Sequence, residues 1–136
     1  MVDLRRTTRY INAGLIKTKM KYRHIKRSEI NGHLDIIISK NEDDYDGEKT
    51  SWNEVLIHGD PAGLKSLAKH LIYLAELNQE KVENKYLPDG AREHLTLRPN
   101  LELSKSSVET TIGRIDSKGE RKFYSSYKVK DNFEVK

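Results

Sequence analysis

The chain has 136 residues and a mass of 15.8 kDa, with 35% hydrophobic and 34% charged residues, a mean hydropathy of −0.80 and no cysteine. That is the size of one small domain with a thin core. The lack of cysteine excludes a disulfide framework, a thiol nucleophile and a Cys-type zinc site, which leaves His and carboxylates as the only metal ligands. No run approaches the roughly 18 apolar residues of a spanning helix, and the start Asp3–Lys21 is too broken by charge to hold a signal peptide's apolar core. A cytoplasmic protein without membrane contact is expected.

The formal net charge of +4 and the pI near 9.2 would ordinarily suggest nucleic acid as a partner. The charge is unevenly placed. Residues 1–27 hold nine Lys and Arg against the single acid Asp3, a net +8, so the rest of the chain carries −4 against the total of +4. We therefore read a basic N-terminal arm over 1–27 and a single, mildly acidic α+β domain over 28–136. The acid density peaks at Glu42, Asp43, Asp44, Asp46 and Glu48, with only Tyr45 and Gly47 between them, and reads as a solvated loop.

In chain order, residues 1–19 show no sustained period, and Tyr22, His24 and Lys26 alternate poorly. Asn31-Gly32 reads as a turn, able to make a hairpin with what precedes it, and Leu34–Ile38 as a short β-branched strand. After the acidic loop, Trp52–His58 is a second strand. At Gly59-Asp60-Pro61, Asp60 can cap free N–H groups, and Pro61 at the first helical position loses nothing by lacking its own. The helix that starts there runs to about residue 78, with Leu64, Leu67, Ala68, Leu71, Leu74 and Ala75 along one stripe. The stretch Glu80–Arg92 is turn-rich and reads as a loop.

Leu95 and Leu97 then alternate with polar residues and stop at Pro99, as in a strand with one buried face. Leu101 and Leu103 form a short connection. Ser106–Ile115 and Lys122–Val129 read as two more strands, paired as a hairpin around Ser117-Lys118-Gly119-Glu120, and Lys130–Lys136 as a frayed tail. The order β-β-α-β-β-β predicts a mostly antiparallel sheet of about five strands packed on the one main helix.

Reaction chemistry is hard to place. None of His24, His33, His58, His70 and His94 forms a ligand pair at a metal-binding spacing, although His58, Asp60 and His94 could form a His-carboxylate site. Glu42-x-Asp44-x-Asp46-Gly47 imitates the start of an EF-hand loop, but it begins with Glu and has Asn53 where the bidentate Glu belongs. Gly59 and Gly63 lack the Lys-Ser/Thr pair of a phosphate loop, and no Gly-x-Ser-x-Gly elbow surrounds a serine. No metal and no cofactor is expected.

The stretch Glu54-Val55-Leu56-Ile57-His58-Gly59-Asp60-Pro61-Ala62-Gly63-Leu64-Lys65-Ser66-Leu67-Ala68-Lys69-His70-Leu71, with Glu93-His94-Leu95-Thr96-Leu97 and Leu101-Glu102-Leu103, resembles a known family. It is similar to the small immunity proteins encoded beside bacterial polymorphic toxins, including those of contact-dependent inhibition systems. They share a strand, a Gly-Asn/Asp-Pro-x-Gly-Leu helix start, a Leu-rich helix, a His-x-His-Leu-like strand and a final Ser-containing strand, here Ser106–Arg114. The resemblance spans roughly residues 53–114, with Glu93 where the family's strand has its first His. It implies a non-enzymatic protein that neutralises a cognate protein toxin by binding it.

A toxin that acts on nucleic acid, such as a nuclease, presents a basic cleft that a carboxylate cluster can match. On that ground Glu42, Asp43, Asp44, Asp46 and Glu48 are the candidate partner-binding residues, with Tyr45 and Trp52 as aromatic anchors. Two alternatives stay open: a nucleic-acid accessory protein acting through Arg5–Arg27, and a small enzyme using His58, Asp60 and His94.

Overall fold

The dipeptide Asp46-Gly47 folds the chain back on itself. In the computed structural model, which describes residues 29–131, both residues have positive φ, +56° and +82°. Those values suit the type I′ turn, whose twist matches that of the flanking strands. Strands β1 (Leu34–Tyr45) and β2 (Glu48–Gly59) run antiparallel from it through twelve unbroken pairs, Tyr45↔Glu48 to Leu34↔Gly59. The acidic run is therefore strand and turn, and the expected loop is corrected. Carboxylates on a strand stay hydrated when both faces are exposed, while the backbone is satisfied across the ladder.

Helix α1 (Pro61–Glu76) begins where the sequence places it. Asp60 accepts from Gly63 N–H at 2.8 Å, and Pro61 occupies the first turn. Gly63 has no room for a side chain, because a Cβ there would lie 2.0 Å from His33 O. The helix buries Ser66, Leu67, His70 and Leu74 and ends at Glu76, two residues short of the expectation. The expected hairpin between Asn31-Gly32 and the residues before it falls outside the described residues. Asn31 exchanges hydrogen bonds with Ser66 Oγ, fixing the approach to β1 against the helix.

After a 3-10 turn at Gln79–Lys81, β3 (His94–Leu97) and β4 (Thr110–Gly113) pair antiparallel as a second small sheet. In place of the expected five-stranded sheet, the described residues form four strands in two sheets. Lys122–Val129 is not a strand: a single bridge, Asp116↔Phe123, marks its start. Its aromatics pack locally instead, with Tyr127 edge-on to Phe123 and Tyr124 at centroid distances of 5.4 and 6.3 Å, and Arg92 over Tyr124 at 5.6 Å. β-Rich composition reflects a fit to a half-buried surface, and this aromatic knot supplies one without a ladder.

The main core joins Leu34 and Ile36 of β1, Leu67 and Leu74 of α1, Leu95 and Leu97 of β3, Ile30 and Leu103. A smaller cluster of Leu77, Val82 and Leu87 lies under the loop after α1. Only the base of the hairpin enters this core, and β1 and β2 become exposed from Lys40 and His58 respectively toward the turn, apart from half-buried Asn41 and Leu56. The basic arm 1–27 and the end of the tail, 132–136, lie outside the described residues.

Candidate functional site

The seven nominated residues all fall on the outer part of the hairpin and are all exposed. Side chains alternate across the strands, so the pleat divides them. Glu42 and Asp44 lie on the face that carries Leu34 and Ile36 at the base, with Lys49 directly opposite Asp44. Asp43, Tyr45, Glu48 and Trp52 lie on the other face, and Asp46 sits in the turn.

Tyr45 is 79% exposed and Trp52 48%. Neither aromatic is in the core, so both are open to a partner. A shallow recess of about 380 Å³ beside Trp52 is lined by Lys40, Asn41, Glu42, Ser51 and Asn53. Asn41 Nδ2 donates to Glu54 Oε1 at 2.8 Å, and Thr50 Oγ1 to Asp43 O at 3.4 Å, which tie the strands laterally without using the carboxylates of the acidic tip. The tip is therefore a two-sided acidic surface with two aromatics on one side.

At the hairpin's base the structure shows a cluster that sequence reasoning missed. Asp35 Oδ1 accepts from the hydroxyls of Ser104, Ser106 and Ser107, at 2.6 Å for Ser106 and 3.3 Å for Ser107. Ser104 and then Ser106 hold its carboxyl below the usual carboxylate range against some desolvation, with Ser107 and the charge of His58 adding to them. Ser107 Oγ also accepts from Ile36 N–H at 2.9 Å. The contacts span 69 to 72 residues of sequence, so no local pattern could have announced them. They anchor β1 to the segment beyond β3.

The residues of the enzymatic alternative have separate structural duties. Asp60 Oδ1 serves the N–H groups of His33 and Gly63, at 3.0 and 2.8 Å, and these two bonds hold its pKa below the ordinary value. His94 Nδ1 is 3.1 Å from Arg92 O, and His58 stands opposite Asp35 in the ladder. No hydrogen bond or ion pair among the described residues joins His58, Asp60 and His94. Likewise, no group of three metal-ligating side chains is found among the described residues. His70 is buried on the inner face of α1, with Nδ1 3.9 Å from Glu29 Oε1.

A larger surface cleft, about 550 Å³, lies between the 89–92 and 117–125 loops, with Asp89 and Glu120 alongside Arg92 and Lys122. Its mixed charge distinguishes it from the acidic hairpin. No helix among the described residues is long and apolar enough to cross a membrane.

Residues 54–115 match the family model of immunity protein 32. The matched segment starts in the second half of β2, takes in α1, β3 and β4, and ends just beyond Arg114. It coincides with the stretch that resembles immunity proteins in sequence. No curated protein and no solved structure matches the chain. The acidic tip precedes the matched segment and is joined to it through strand β2.

Proposed function

We propose that this protein neutralises a cognate protein toxin by binding it through the acidic end of the β1–β2 hairpin, with no reaction of its own. The observation that carries this reading is the tip itself: five carboxylates and two exposed aromatics held away from the core by a ladder joined to an immunity-family segment. A paired ladder holds the tip in one shape, so less ordering entropy is lost on binding than for a free loop. Tyr45 and Trp52 offer large rigid contact areas on the face that also bears Asp43 and Glu48.

The partner that fits is a toxin with a basic, nucleic-acid-binding cleft, whose phosphate sites the carboxylates imitate. Such a toxin meets its substrate in the cytoplasm, where this protein would act. The nucleic-acid alternative rests on Arg5–Arg27, outside the described residues.

The test is a search for a toxin reading frame adjacent to this gene, followed by co-expression of the two. Wild-type protein restores growth, and the Asp43→Lys, Asp44→Lys, Asp46→Lys variant, confirmed as folded by circular dichroism, does not. Full rescue by that variant overturns the assignment of the interface. Failure of the wild-type protein to rescue or bind any adjacent toxin overturns the immunity reading.

A further inference from the structure

We propose that the outer edge of β2 pairs with the same edge of a second copy of this chain, so that two hairpins form one four-stranded antiparallel sheet in the order β1-β2-β2-β1. The edges of the hairpin are not equivalent. Along β1, the carbonyls of Leu34 and Ile36 accept from Ser104 and Val108 N–H at 3.0 and 2.8 Å, while Ile36 N–H donates to Ser107 Oγ. These two residues thus turn their backbone groups away from β2. In an antiparallel ladder their cross-strand partners, Gly59 and Ile57, do the same on the far side, and so does Val55.

Among the described residues nothing pairs with the outward N–H and C=O groups of Val55 or Ile57. Edge strands are commonly blunted by bulges or proline. β2 has twelve unbroken pairs and no proline. Its outer stretch is also apolar on one face, with Val55 61% and Ile57 47% exposed and Ile38, opposite Val55, 53% exposed.

A second copy is the occupant because β2 is complementary to itself about Leu56. A two-fold axis there sets Val55 against Ile57 of the second copy, and Ile57 against its Val55, as the hydrogen-bonded pairs. Leu56 meets Leu56 across the axis. The next pairs out set Glu54 against His58 of the second copy, twice, carboxylate to imidazole. Neighbouring registers lose this match: centred on Val55 they set Glu54 against Leu56, and centred on Ile57 they set Glu54 against Asp60. The paired stretch is 53–59, so the acidic tip at 42–48 stays open and the inference stands apart from the toxin reading.

Sedimentation equilibrium of the full chain tests it, with a monomer–dimer equilibrium expected in the micromolar range. The chain has no cysteine, so Leu56→Cys introduces a single thiol at the axis. Facing residues of a non-hydrogen-bonded pair have Cα atoms about 4.5 Å apart, within disulfide reach, and this variant is expected to form a covalent dimer on mild oxidation. Trp52→Cys is not. Glu54→Lys weakens the dimer at least tenfold, and adding His58→Glu restores it by setting a carboxylate opposite the new ammonium. A chain that stays monomeric throughout the range overturns the proposal. So does a dimer that is indifferent to Glu54→Lys or cross-links through Trp52→Cys instead. Amide protection of Val55 and Ile57 that does not depend on concentration also overturns it, by assigning the edge to another segment of the same chain.

Discussion

Arg114 grips Asp116 through two parallel contacts, Nε to Oδ1 at 2.9 Å and Nη2 to Oδ2 at 2.8 Å, and this pair closes the far end of α1. The guanidinium's remaining nitrogen, Nη1, donates to the carbonyls of Leu74 and Leu77 at 3.0 and 2.7 Å. The helix has no basic residue in its own last turn, so its free carbonyls are satisfied from just beyond β4. Arg114→Ala is expected to lower the unfolding free energy by about 1–3 kcal/mol, since it strands acceptors and breaks a charged pair. Arg114→Lys recovers only part of that, because an ammonium cannot reproduce the planar fork. Urea unfolding of the three proteins measures both effects.

The same pair predicts how stability responds to acid. The Asp116 carboxyl is held below its ordinary value chiefly by the Arg114 hydrogen bond, Asp35 by its serine hydroxyls and Asp60 by backbone N–H groups. A carboxylate with a lowered folded-state pKa binds fewer protons folded than unfolded, so stability rises with pH through that interval. The contribution is complete above the unfolded value of about 3.9 and is lost as pH falls through the lowered folded values. Urea midpoints are therefore expected to be flat near neutrality and to fall below about pH 4. Asp35→Asn should make the acid limb shallower. An unchanged acid limb would remove Asp35 from this account.

Local chemistry was legible wherever one residue acts on its near neighbours. Asp60 and Pro61 announce the start of α1, and Leu95 and Leu97 announce β3, whereas of the expected stripe on α1 only Leu67 and Leu74 are buried, Leu64 and Leu71 being exposed and Ser66 and His70 lying inward instead. The acidic run misleads because hydrophilicity reads as loop, whereas Asp46-Gly47 is itself a strong hairpin signal and outweighs the charge beside it. Alternation puts Asp43 on the opposite face from Glu42 and Asp44, and Lys49 faces Asp44, which relieves the repulsion. Lys122–Val129 misled in the opposite direction, since its tyrosines satisfy one another rather than a sheet. Of the site, the residue types at the tip were readable, but their division between two faces needed the register. The Asp35–serine anchor joins distant segments and had no local signature.

Gly63 predicts a cost that its helical position alone would not suggest. Alanine normally favours helices over glycine, yet a Cβ at residue 63 would lie 2.0 Å from His33 O, a backbone atom that cannot simply swing away. Gly63→Ala is expected to destabilise by about 1–3 kcal/mol or more through overpacking. Gly47→Ala has nothing within 4 Å of its Cβ, and its cost comes only from the positive φ of +82°, about 1 kcal/mol. Denaturant midpoints of the two variants should separate steric from backbone strain.

Lys118 is 4% exposed and has no carboxylate partner in its hydrogen bonds; its ammonium donates to Val82 O, to Asn84 Oδ1 at 2.7 Å and to Leu87 O at 2.9 Å. Three donors meet three acceptors, so the charge is solvated by the loop it organises. Lys118→Met keeps the stem but leaves those acceptors without the donor, at a cost of about 1–3 kcal/mol. The loss should be local. Amide exchange at Leu87 and Gly90 should accelerate more than at Leu95 or Leu97 in the core.

Trp52 is the only tryptophan of the chain, which makes the hairpin its own reporter. With the residue 48% exposed and the ring on the face shared by Tyr45, Asp43 and Glu48, its fluorescence should be that of a partly hydrated indole. If the toxin covers this face, binding removes water from the ring, shifts the emission to shorter wavelength and protects it from acrylamide quenching. Trp52→Ala should then weaken toxin binding by about 2 kcal/mol or more, the scale of a buried aromatic anchor, while leaving unfolding stability nearly unchanged because the ring contributes no core contact. Tyr45→Ala should act in the same direction through the same face. Tight binding with no change in Trp52 emission would place the toxin elsewhere, on the Glu42 and Asp44 face or away from the hairpin altogether.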